Sequence, residues 1–279
     1  MKLEYEELIK IYKKASLCRS FEEKVFKLVN EKIINIPVYL SAGQEYISAT
    51  ISTALDRLGV GERQIFIQHR GHSIYLNFGG DIDELILELL GRDSGCSNGK
   101  GGSASIQSKK ANIYGHDGLM GSHGPIATGM CYANKMPTLC FTGDAAGEED
   151  YFLTSMGWAS TKELPIWYFI EDNNYSILTE KKIRRNWEIS DVASGFKLLS
   201  YNIQDDPSDI YSVIPNEFIK PLVINVRTNR FFWHAGAGID DPNVFDRHKD
   251  VAKKLGPTIS DKINFESKEI VEEAWKKHI

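Results

Sequence analysis

The segments GDAAGEED (residues 143–150) and EDNNYSILT (residues 171–179) decide the fold prediction. Each follows a short apolar run, and these runs are Met136–Thr142 and Leu164–Ile170. A helical pattern lies between them, from Glu149 to about Thr161. Continuous apolar strands joined by a crossover helix are typical of a buried parallel sheet with right-handed connections. The sequence therefore predicts an α/β fold around a parallel sheet.

A third strand, Ile219–Val226, extends the same pattern. In open parallel sheets, ligands bind outside the carboxyl ends of the strands. That rule indicates Gly143–Glu149, Glu171–Tyr175 and Arg227–His234 as candidate binding segments. Residues 94–128 are rich in glycine and poor in large apolar residues, and they lie between regular segments. Because long loops in compact domains are usually functional, and glycine permits close backbone approach, we expect this segment to contact a ligand.

The rest of the chain is predicted to be largely helical around this sheet. Apolar residues recur at helical spacing from Leu3 to about Asn30, and a second helical stretch runs from about Gln44 to Leu58. No internal repeat or composition change divides the chain, so residues 1–279 are predicted to form one domain. Within it, residues 1–40 form an N-terminal helical extension and residues 250–279 one short C-terminal amphipathic helix.

Composition excludes several classes of function. The 279 residues are 42% hydrophobic and 25% charged, a composition typical of a globular protein. Their formal net charge of −5 argues against nucleic-acid binding, because the chain has no basic stripe to neutralise phosphates. No apolar run approaches the roughly 20 residues of a membrane span, and the N-terminus lacks a signal-peptide core, so we expect a cytoplasmic protein. The four cysteines show no metal or disulfide spacing. One short basic cluster is interpreted as a solvent-exposed face; it contains Lys181, Lys182, Arg184 and Arg185.

Asp144 and Asn173 form the central constellation. Both are predicted to follow the carboxyl ends of neighbouring strands, and with a backbone carbonyl they offer the hard oxygen ligands that magnesium prefers. The helix that begins near Gly147 presents free N–H groups towards an anion. Taken singly, each residue is an ordinary turn signal. Paired behind a glycine-rich loop, they predict a site for magnesium and a diphosphate.

Seven ordered motifs extend this pattern over nearly the whole chain. They are SAGQE (41–45), HRGH (69–72), GKGGS (99–103), NIYGHDGLMGSHGPIATG (112–129), GDAAGEE (143–149), EDNNYSILT (171–179) and RFFWHAGAGIDDP (230–242). In this order the chain resembles the α subunit of the first component of 2-oxo acid dehydrogenase complexes, the pyruvate, branched-chain and acetoin dehydrogenase group. The resemblance implies a three-layer thiamine-diphosphate-binding fold, with helices on both faces of a parallel sheet.

The resemblance also implies roles for individual residues. Asp144, Asn173 and the Tyr175 carbonyl match the magnesium ligands. His234 and His72 match catalytic histidines, His234 standing on a loop beside the reacting carbon. The implied cofactor-binding residues are His69, Arg70, Gly118, Met120, Asp144, Ala145, Ala146, Asn173, Tyr175 and His234. Plain packing explains Met120 equally well, and a loop hydrogen bond is the alternative explanation for His234.

The function implied is decarboxylation of a small 2-oxo acid, with thiamine diphosphate and Mg²⁺ as cofactors and a lipoyl-type group as acyl acceptor. In the family, the glutamate that activates the aminopyrimidine comes from a separate β subunit. The single α/β unit consumes most of this chain, so a β subunit is expected, in an α2β2 heterotetramer. A lipoyl acyltransferase is a further expected partner.

Four positions depart from the family pattern. Ala145 replaces the second glycine of GDG, and Ser105 stands where a histidine is common. Trp233 and Ala235 flank His234 where the family usually has GHS, so serine phosphorylation is excluded at residue 235. We expect Trp233 to fill space beside the active centre and to alter the acyl pocket.

These departures leave other interpretations open besides a 2-oxo acid dehydrogenase. The second interpretation is a stand-alone thiamine enzyme that transfers an acyl or two-carbon fragment to an aldehyde or ketone in a biosynthetic pathway. The third is a cofactor-binding but inactive scaffold for a partner. A magnesium-dependent phosphohydrolase would fit Asp144 alone, but it would not explain the ordered motifs.

Overall fold

A six-stranded parallel sheet forms the centre of the computed structural model, which describes residues 1–279. The strands of the chain are β1 (Gln64–Phe66), β2 (Ile113–Tyr114), β3 (Thr138–Gly143), β4 (Ile166–Asp172), β5 (Tyr175–Ser176), β6 (Thr179–Glu180), β7 (Leu199–Gln204) and β8 (Leu222–Arg227). The sheet has the order β2-β1-β3-β4-β8-β7, and all its neighbouring strands are parallel. Strands β5 and β6 form a separate antiparallel hairpin.

Helices cover both faces of this sheet. They are α1 (Tyr5–Asn30), α2 (Glu45–Leu58), α3 (His72–Asn77), α4 (Ile82–Leu89), α5 (His123–Asn134), α6 (Asp150–Thr161), α7 (Lys181–Arg184), α8 (Ile189–Gly195), α9 (Pro207–Val213), α10 (Arg247–Leu255) and α11 (Pro257–Lys276). A short 3-10 turn, Ala146–Glu148, lies between β3 and α6. Among these helices, none has the combination of length and apolar content needed to cross a bilayer.

Alternate residues of each strand enter two separate cores, because successive side chains of a strand point to opposite faces. Leu139 and Phe141 of β3 belong to a cluster of 43 buried residues shared with α1, α2 and α11. Cys140, on the other face of β3, belongs to a cluster of 15 buried residues shared with α5, α6 and α8. Two cores separated by one sheet make three layers, and the α/β fold prediction is confirmed.

The predicted strands correspond to β3, β4 and β8, while the other three strands of the six-stranded sheet and the short hairpin strands escaped prediction. β1 and β2 contain only three and two residues, too few to give a pattern. β7 lies at the edge of the sheet, and its sequence LSYNIQ has no continuous apolar run because none of its residues is fully buried. Edge and very short strands lack the burial that makes interior strands recognisable.

The terminal helices pack together. α1 lies against α11 and α2, and its apolar stripe is part of the larger core. Where the sequence predicts one short helix after residue 250, the chain forms α10 and the 20-residue α11. Gly256, with a φ of +79°, follows α10, and Pro257 stands in the first turn of α11. Glycine is favoured just past the end of a helix and proline in the first turn of one, so these two residues divide the tail into two helices.

The glycine-rich segment is organised largely by one buried carboxylate, Glu88 of α4. Its Oε2 accepts hydrogen bonds from the backbone N–H groups of Ser97 (2.7 Å) and Gly99 (2.8 Å). Its Oε1 accepts from Gly101 (2.8 Å) and Gly102 (3.0 Å). The amides that the sequence led us to expect at a ligand therefore bind a side chain of the chain itself. These four amides are therefore not free for a ligand, and contact of the segment with a ligand stays a prediction.

Candidate functional site

The candidate site is a cavity of about 670 Å³ at the carboxyl ends of β1, β3, β4 and β8. Each strand end contributes the residues that follow it, as expected where parallel strands end at one edge of a sheet. Nine of the predicted site residues line this cavity: His69, Arg70, Met120, Asp144, Ala145, Ala146, Asn173, Tyr175 and His234. The fold thus brings together residues from segments more than 150 positions apart in the sequence.

Two predicted residues, Gly118 and His72, do not line the cavity. Gly118 has a φ of +100°, a conformation that favours glycine, and it precedes the lining residue Met120 by two positions. His72 is fully buried, with Nδ1 3.0 Å from Glu22 Oε1 and Nε2 2.9 Å from Ser103 Oγ. Its role in catalysis stays a prediction, and both of its ring nitrogens are engaged by neighbours outside the cavity.

The oxygen ligands predicted for magnesium lie at two neighbouring strand ends. Gly143, the last residue of β3, is opposite Glu171 of β4, so Asp144 and Asn173 leave the sheet side by side. Both are buried, with exposed fractions of 1% and 8%. The Asn173 Oδ1 atom accepts a hydrogen bond from the Tyr175 N–H at 3.1 Å. This contact folds the loop back after β4 and keeps Tyr175 beside the cavity.

The Asp144 carboxylate forms an ion pair with a guanidinium group. Arg184 NH2 lies 2.5 Å from Asp144 Oδ2, and its Nε donates to Glu148 Oε1 at 3.1 Å. Arg185 NH1 donates to the Asp144 carbonyl at 2.9 Å and to Glu148 Oε1 at 2.6 Å. Burial and the neighbouring Asp172 carboxylate raise the pKa of Asp144 to about 6, although Arg184 opposes the shift. This carboxylate is therefore a place where a cation is strongly favoured.

The prediction of a solvent-exposed basic face is wrong for most of that cluster. The side chains of Arg184, Arg185 and Lys181 are 13%, 1% and 17% exposed, and Lys181 pairs with Asp172 at 2.7 Å. Only Lys182 projects into solvent, with 74% of its side chain exposed. The hairpin β5–β6 turns the chain back towards β3, so the basic residues meet buried carboxylates instead of water.

Arg70 brings a buried positive charge to the same cavity. Its NH1 atom donates to the carbonyls of Leu40 (2.9 Å) and Trp233 (3.4 Å), and its NH2 atom contacts His234 Nδ1 at 2.6 Å. No carboxylate forms an ion pair with it, and burial together with the nearby Arg230 lowers its pKa. A buried cation without a counter-ion is costly. The arrangement fits an anionic ligand that would supply the missing charge.

His234 is neutral and has a defined tautomer. Burial, followed by the charges of Arg70 and Arg230, lowers its pKa to about 4. A guanidinium can only donate, so His234 Nδ1 accepts the hydrogen bond from Arg70 NH2. The single proton of the neutral ring then lies on Nε2. Tyr39 and His69 pack edge-on against the imidazole, with ring centroids 5.5 and 5.9 Å away, and restrict its orientation.

Trp233 lies on the opposite side of the loop from His234. Its indole N–H donates to the Val38 carbonyl at 3.2 Å, and its ring packs on Phe26 with centroids 4.6 Å apart. The side chain belongs to the larger core and does not line the cavity. The expectation that Trp233 fills space beside the active centre is wrong, because its indole is directed into the core and held there by Phe26 and the Val38 carbonyl.

Sequence reasoning gave no individual role to several cavity residues, among them Gln68, Arg184 and Arg230, although Arg230 lies in the candidate segment Arg227–His234. Gln68 directly precedes the HRGH motif, and its Nε2 donates to the buried carboxyl group of Glu171. Arg230 opens the RFFWHAG motif and forms a two-point ion pair with Asp240, at 2.6 and 2.7 Å. The available signals were the place of Gln68 next to a motif and that of Arg230 after the predicted third strand. Arg184 had no such signal, because its position depends on the hairpin.

An oxygen-ligand pair and the buried, unpaired Arg70 guanidinium at the strand ends of a parallel sheet are typical of a ligand-binding crevice. Comparison with known families gives the particular class. The chain belongs to the dehydrogenase E1 component family, whose match covers residues 13–274. The resemblance inferred from the seven motifs is confirmed.

Individual relatives support the same assignment at modest identity. The chain is 29% identical over 261 residues to the pyruvate dehydrogenase E1 component subunit alpha of Rickettsia bellii, covering 88% of this chain and 77% of that protein. The corresponding protein of Rickettsia typhi is 30% identical over 265 residues, with 89% and 78% covered. The mitochondrial subunit alpha-1 of rice is 28% identical over 259 residues, and this chain spans 63% of its length.

Proposed function

We propose that this chain is the α subunit of a thiamine-diphosphate- and Mg²⁺-dependent enzyme that decarboxylates a 2-oxo acid and passes the acyl group to a lipoyl-type acceptor. The observation that carries the proposal is the cavity in which Asp144, Asn173, Arg70 and His234 converge. Membership of the dehydrogenase E1 component family supports thiamine diphosphate as the cofactor. We further propose Mg²⁺ as the metal ion, a 2-oxo acid as the substrate and a lipoyl group as the acceptor.

The residues present fit this cofactor. Asp144 and Asn173 offer carboxylate and amide oxygens, which are hard ligands suited to Mg²⁺. The Asp144 carboxylate already holds a cation, the Arg184 guanidinium, at 2.5 Å. Arg70 is a buried cation without a carboxylate partner, as a diphosphate-binding residue would be before its ligand arrives. The chain therefore offers oxygen ligands for a metal ion and a positive charge for the diphosphate that the metal would bind.

Thiamine diphosphate supplies a nucleophilic carbon and an electron sink for loss of carbon dioxide. The proposed roles of this chain are to bind and orient the cofactor and to donate a proton to the substrate. Asp144, Asn173 and the Tyr175 carbonyl would hold the metal, Arg70 would pair with phosphate oxygens, and Met120 would support the cofactor rings. His234, neutral with its proton on Nε2, would donate a hydrogen bond to the oxygen or carboxylate of the substrate. His69 would line the wall beside it.

The activating carboxylate is proposed to come from a β subunit. Glu149 and Glu148 line the cavity, but Glu148 is already paired with Arg184 and Arg185. Glu149 directly precedes α6, on the side of Asp144 and the proposed diphosphate. A partner that completes the site would make the assembly obligate, and α2β2 is the proposed stoichiometry. A lipoyl acyltransferase is the proposed next partner.

The experiment uses the chain co-purified with the product of the adjacent reading frame, with thiamine diphosphate and Mg²⁺ added. Asp144→Ala and Asn173→Ala should each abolish cofactor binding measured by calorimetry. Asn225→Ala is the matched control, since Asn225 is a buried asparagine of β8 that does not line the cavity. Unchanged affinity in both site variants would refute the site. His234→Ala should bind cofactor normally and lose turnover.

The acceptor is tested in the same preparation with a panel of 2-oxo acids. A lipoyl domain, an artificial electron acceptor and aldehyde or ketone acceptors are supplied separately. Acyl transfer to the lipoyl domain is expected. Turnover only with a carbonyl acceptor would replace the dehydrogenase reading with the biosynthetic one, and cofactor binding without any turnover would favour the inactive scaffold.

A further inference from the structure

The amide of Asn173 has a buried hydrogen-bond partner that lies outside the sheet. Gln44, at the N-terminal boundary of α2, accepts a hydrogen bond on Oε1 from Asn173 Nδ2 at 2.9 Å. Gln44 is fully buried and Asn173 is 8% exposed. The contact joins residues 129 positions apart, and it is the only side-chain hydrogen bond that Asn173 Nδ2 makes.

The orientation of the two amides is determined by their other neighbours. The Tyr175 N–H donates to Asn173 Oδ1 at 3.1 Å, which identifies the oxygen of that amide and leaves Nδ2 facing Gln44. Gln44 must therefore present its own oxygen. Gln44 Nε2 and Glu171 Oε1 are a buried donor and a buried acceptor that form no hydrogen bond. The Tyr175 N–H thus fixes the direction of the Asn173 amide, and Asn173 Nδ2 fixes that of Gln44.

This orientation matters because only one end of an amide can bind a metal ion. A cation needs the Asn173 oxygen, and rotation of the amide by 180° would present two N–H donors to it instead. No water can take the place of the acceptor easily, since the surroundings of Gln44 are buried. Removal of the Gln44 oxygen would leave the two amide orientations closer in free energy.

We propose that Gln44 is a positioning residue that holds the Asn173 amide with its oxygen towards the metal site. This inference rests on the proposed function, because it assigns Gln44 a role in Mg²⁺ binding at that site. Gln44 would contact neither the metal nor the cofactor. Its effect would pass through the single hydrogen bond from Asn173 Nδ2 to Gln44 Oε1.

The test compares Gln44→Met with Gln64→Met in the chain co-purified with its partner subunit. Both glutamines are fully buried, but Gln64 binds Thr138 and Asn134 away from the cavity. Mg²⁺ affinity is titrated by calorimetry at saturating thiamine diphosphate, and thermal unfolding is recorded for each variant. Partners that orient metal ligands are typically worth roughly 10–100-fold in affinity. Gln44→Met should weaken Mg²⁺ binding by that factor, while Gln64→Met leaves it within about twofold.

A double-mutant cycle separates positioning from general structural damage. In Asn173→Asp the two side-chain oxygens are chemically equivalent, so the direction of the group no longer matters. Adding Gln44→Met to Asn173→Asp should weaken Mg²⁺ binding by less than about threefold, because either orientation of the carboxylate presents an oxygen to the metal. An equal loss in both backgrounds would overturn the proposal.

Two further outcomes are decisive. Wild-type Mg²⁺ affinity in a folded Gln44→Met protein would overturn the positioning role and leave the proposed function standing. Failure of the wild-type assembly to bind thiamine diphosphate with Mg²⁺ would overturn the proposed function and this role with it. If Gln44→Met does not fold, Gln44→Ala against Gln64→Ala makes the same comparison, since alanine removes the acceptor without forcing a new side chain into the space.

Discussion

Replacement of Glu88 by glutamine tests how the glycine-rich segment is held. The carboxylate accepts four backbone N–H bonds, two on each oxygen, at 2.7–3.0 Å. Glutamine keeps the size and shape but turns one oxygen into an NH2 group. That group would face two N–H donors, either those of Ser97 and Gly99 or those of Gly101 and Gly102. Two buried donors then lose their acceptor.

The expected cost follows from these contacts. A buried donor left without a partner costs about 1–3 kcal/mol, so two of them cost about 2–6 kcal/mol. The amides of Gly99, Gly101 and Gly102 are only partly buried, and water would recover some of this loss. We therefore expect Glu88→Gln to lower the free energy of unfolding by about 2–4 kcal/mol. At roughly 2.1 cal/mol/K of unfolding entropy per residue, this corresponds in a chain of 279 residues to a fall in Tm of roughly 3–7 °C.

Urea unfolding followed by circular dichroism measures this change, and Glu84→Gln is the control because Glu84 is exposed on the same helix. Hydrogen exchange should show faster exchange at Ser97, Gly99, Gly101 and Gly102 in the Glu88 variant only. A Glu88→Gln protein within about 0.5 kcal/mol of wild type would refute the reasoning. So would a loss of cofactor binding at unchanged stability, since it would mean that these amides serve a ligand.

Three other perturbations have defined outcomes. Burial lowers the pKa of His123 to about 4 while an unfolded histidine titrates near 6.5, so only the unfolded state gains a proton between those values and stability should fall by about 2 kcal/mol from pH 7 to pH 5. His123→Gln should reduce that fall in urea unfolding, and an identical pH dependence in both proteins would contradict the assignment. Arg184→Gln removes the guanidinium that competes for Asp144, and calorimetry with thiamine diphosphate should show Mg²⁺ binding tightened by roughly 5- to 30-fold. Weaker binding would mean that Arg184 contacts the diphosphate. Trp233→Phe loses the bond to the Val38 carbonyl and about 1 kcal/mol of stability, but the ranking of 2-oxo acids by kcat/KM should not change; an altered ranking would mean that the indole reaches the substrate.

Much of the site was predictable because local patterns carried it. Strands β3 and β4 are continuous apolar runs, and a parallel sheet places the residues after them at one edge. Asp144 and Asn173 follow from that rule without knowledge of any distant contact. His234 and Arg70 required the ordered motifs, since neither is marked by periodicity.

Other features depended on how distant segments pack. The Glu88 carboxylate shares its helix with other acidic residues, and nothing in the sequence separates it from those that face solvent. Arg184 reads as part of a solvated basic run until the hairpin returns it to Asp144. Gln44 belongs to the SAGQE motif, but neither that motif nor any periodicity indicates its contact with Asn173.

The sequence by itself determined the parallel α/β architecture, the family and the strand ends that carry the oxygen ligands. Hydrophobic periodicity and motif order suffice for these, because they depend on local backbone preference and on which face of a strand is buried. Only the tertiary structure decided which cation Asp144 holds, which amides Glu88 binds and which residue orients Asn173. Those pairings join side chains from different elements, and their distances depend on the packing of the whole chain.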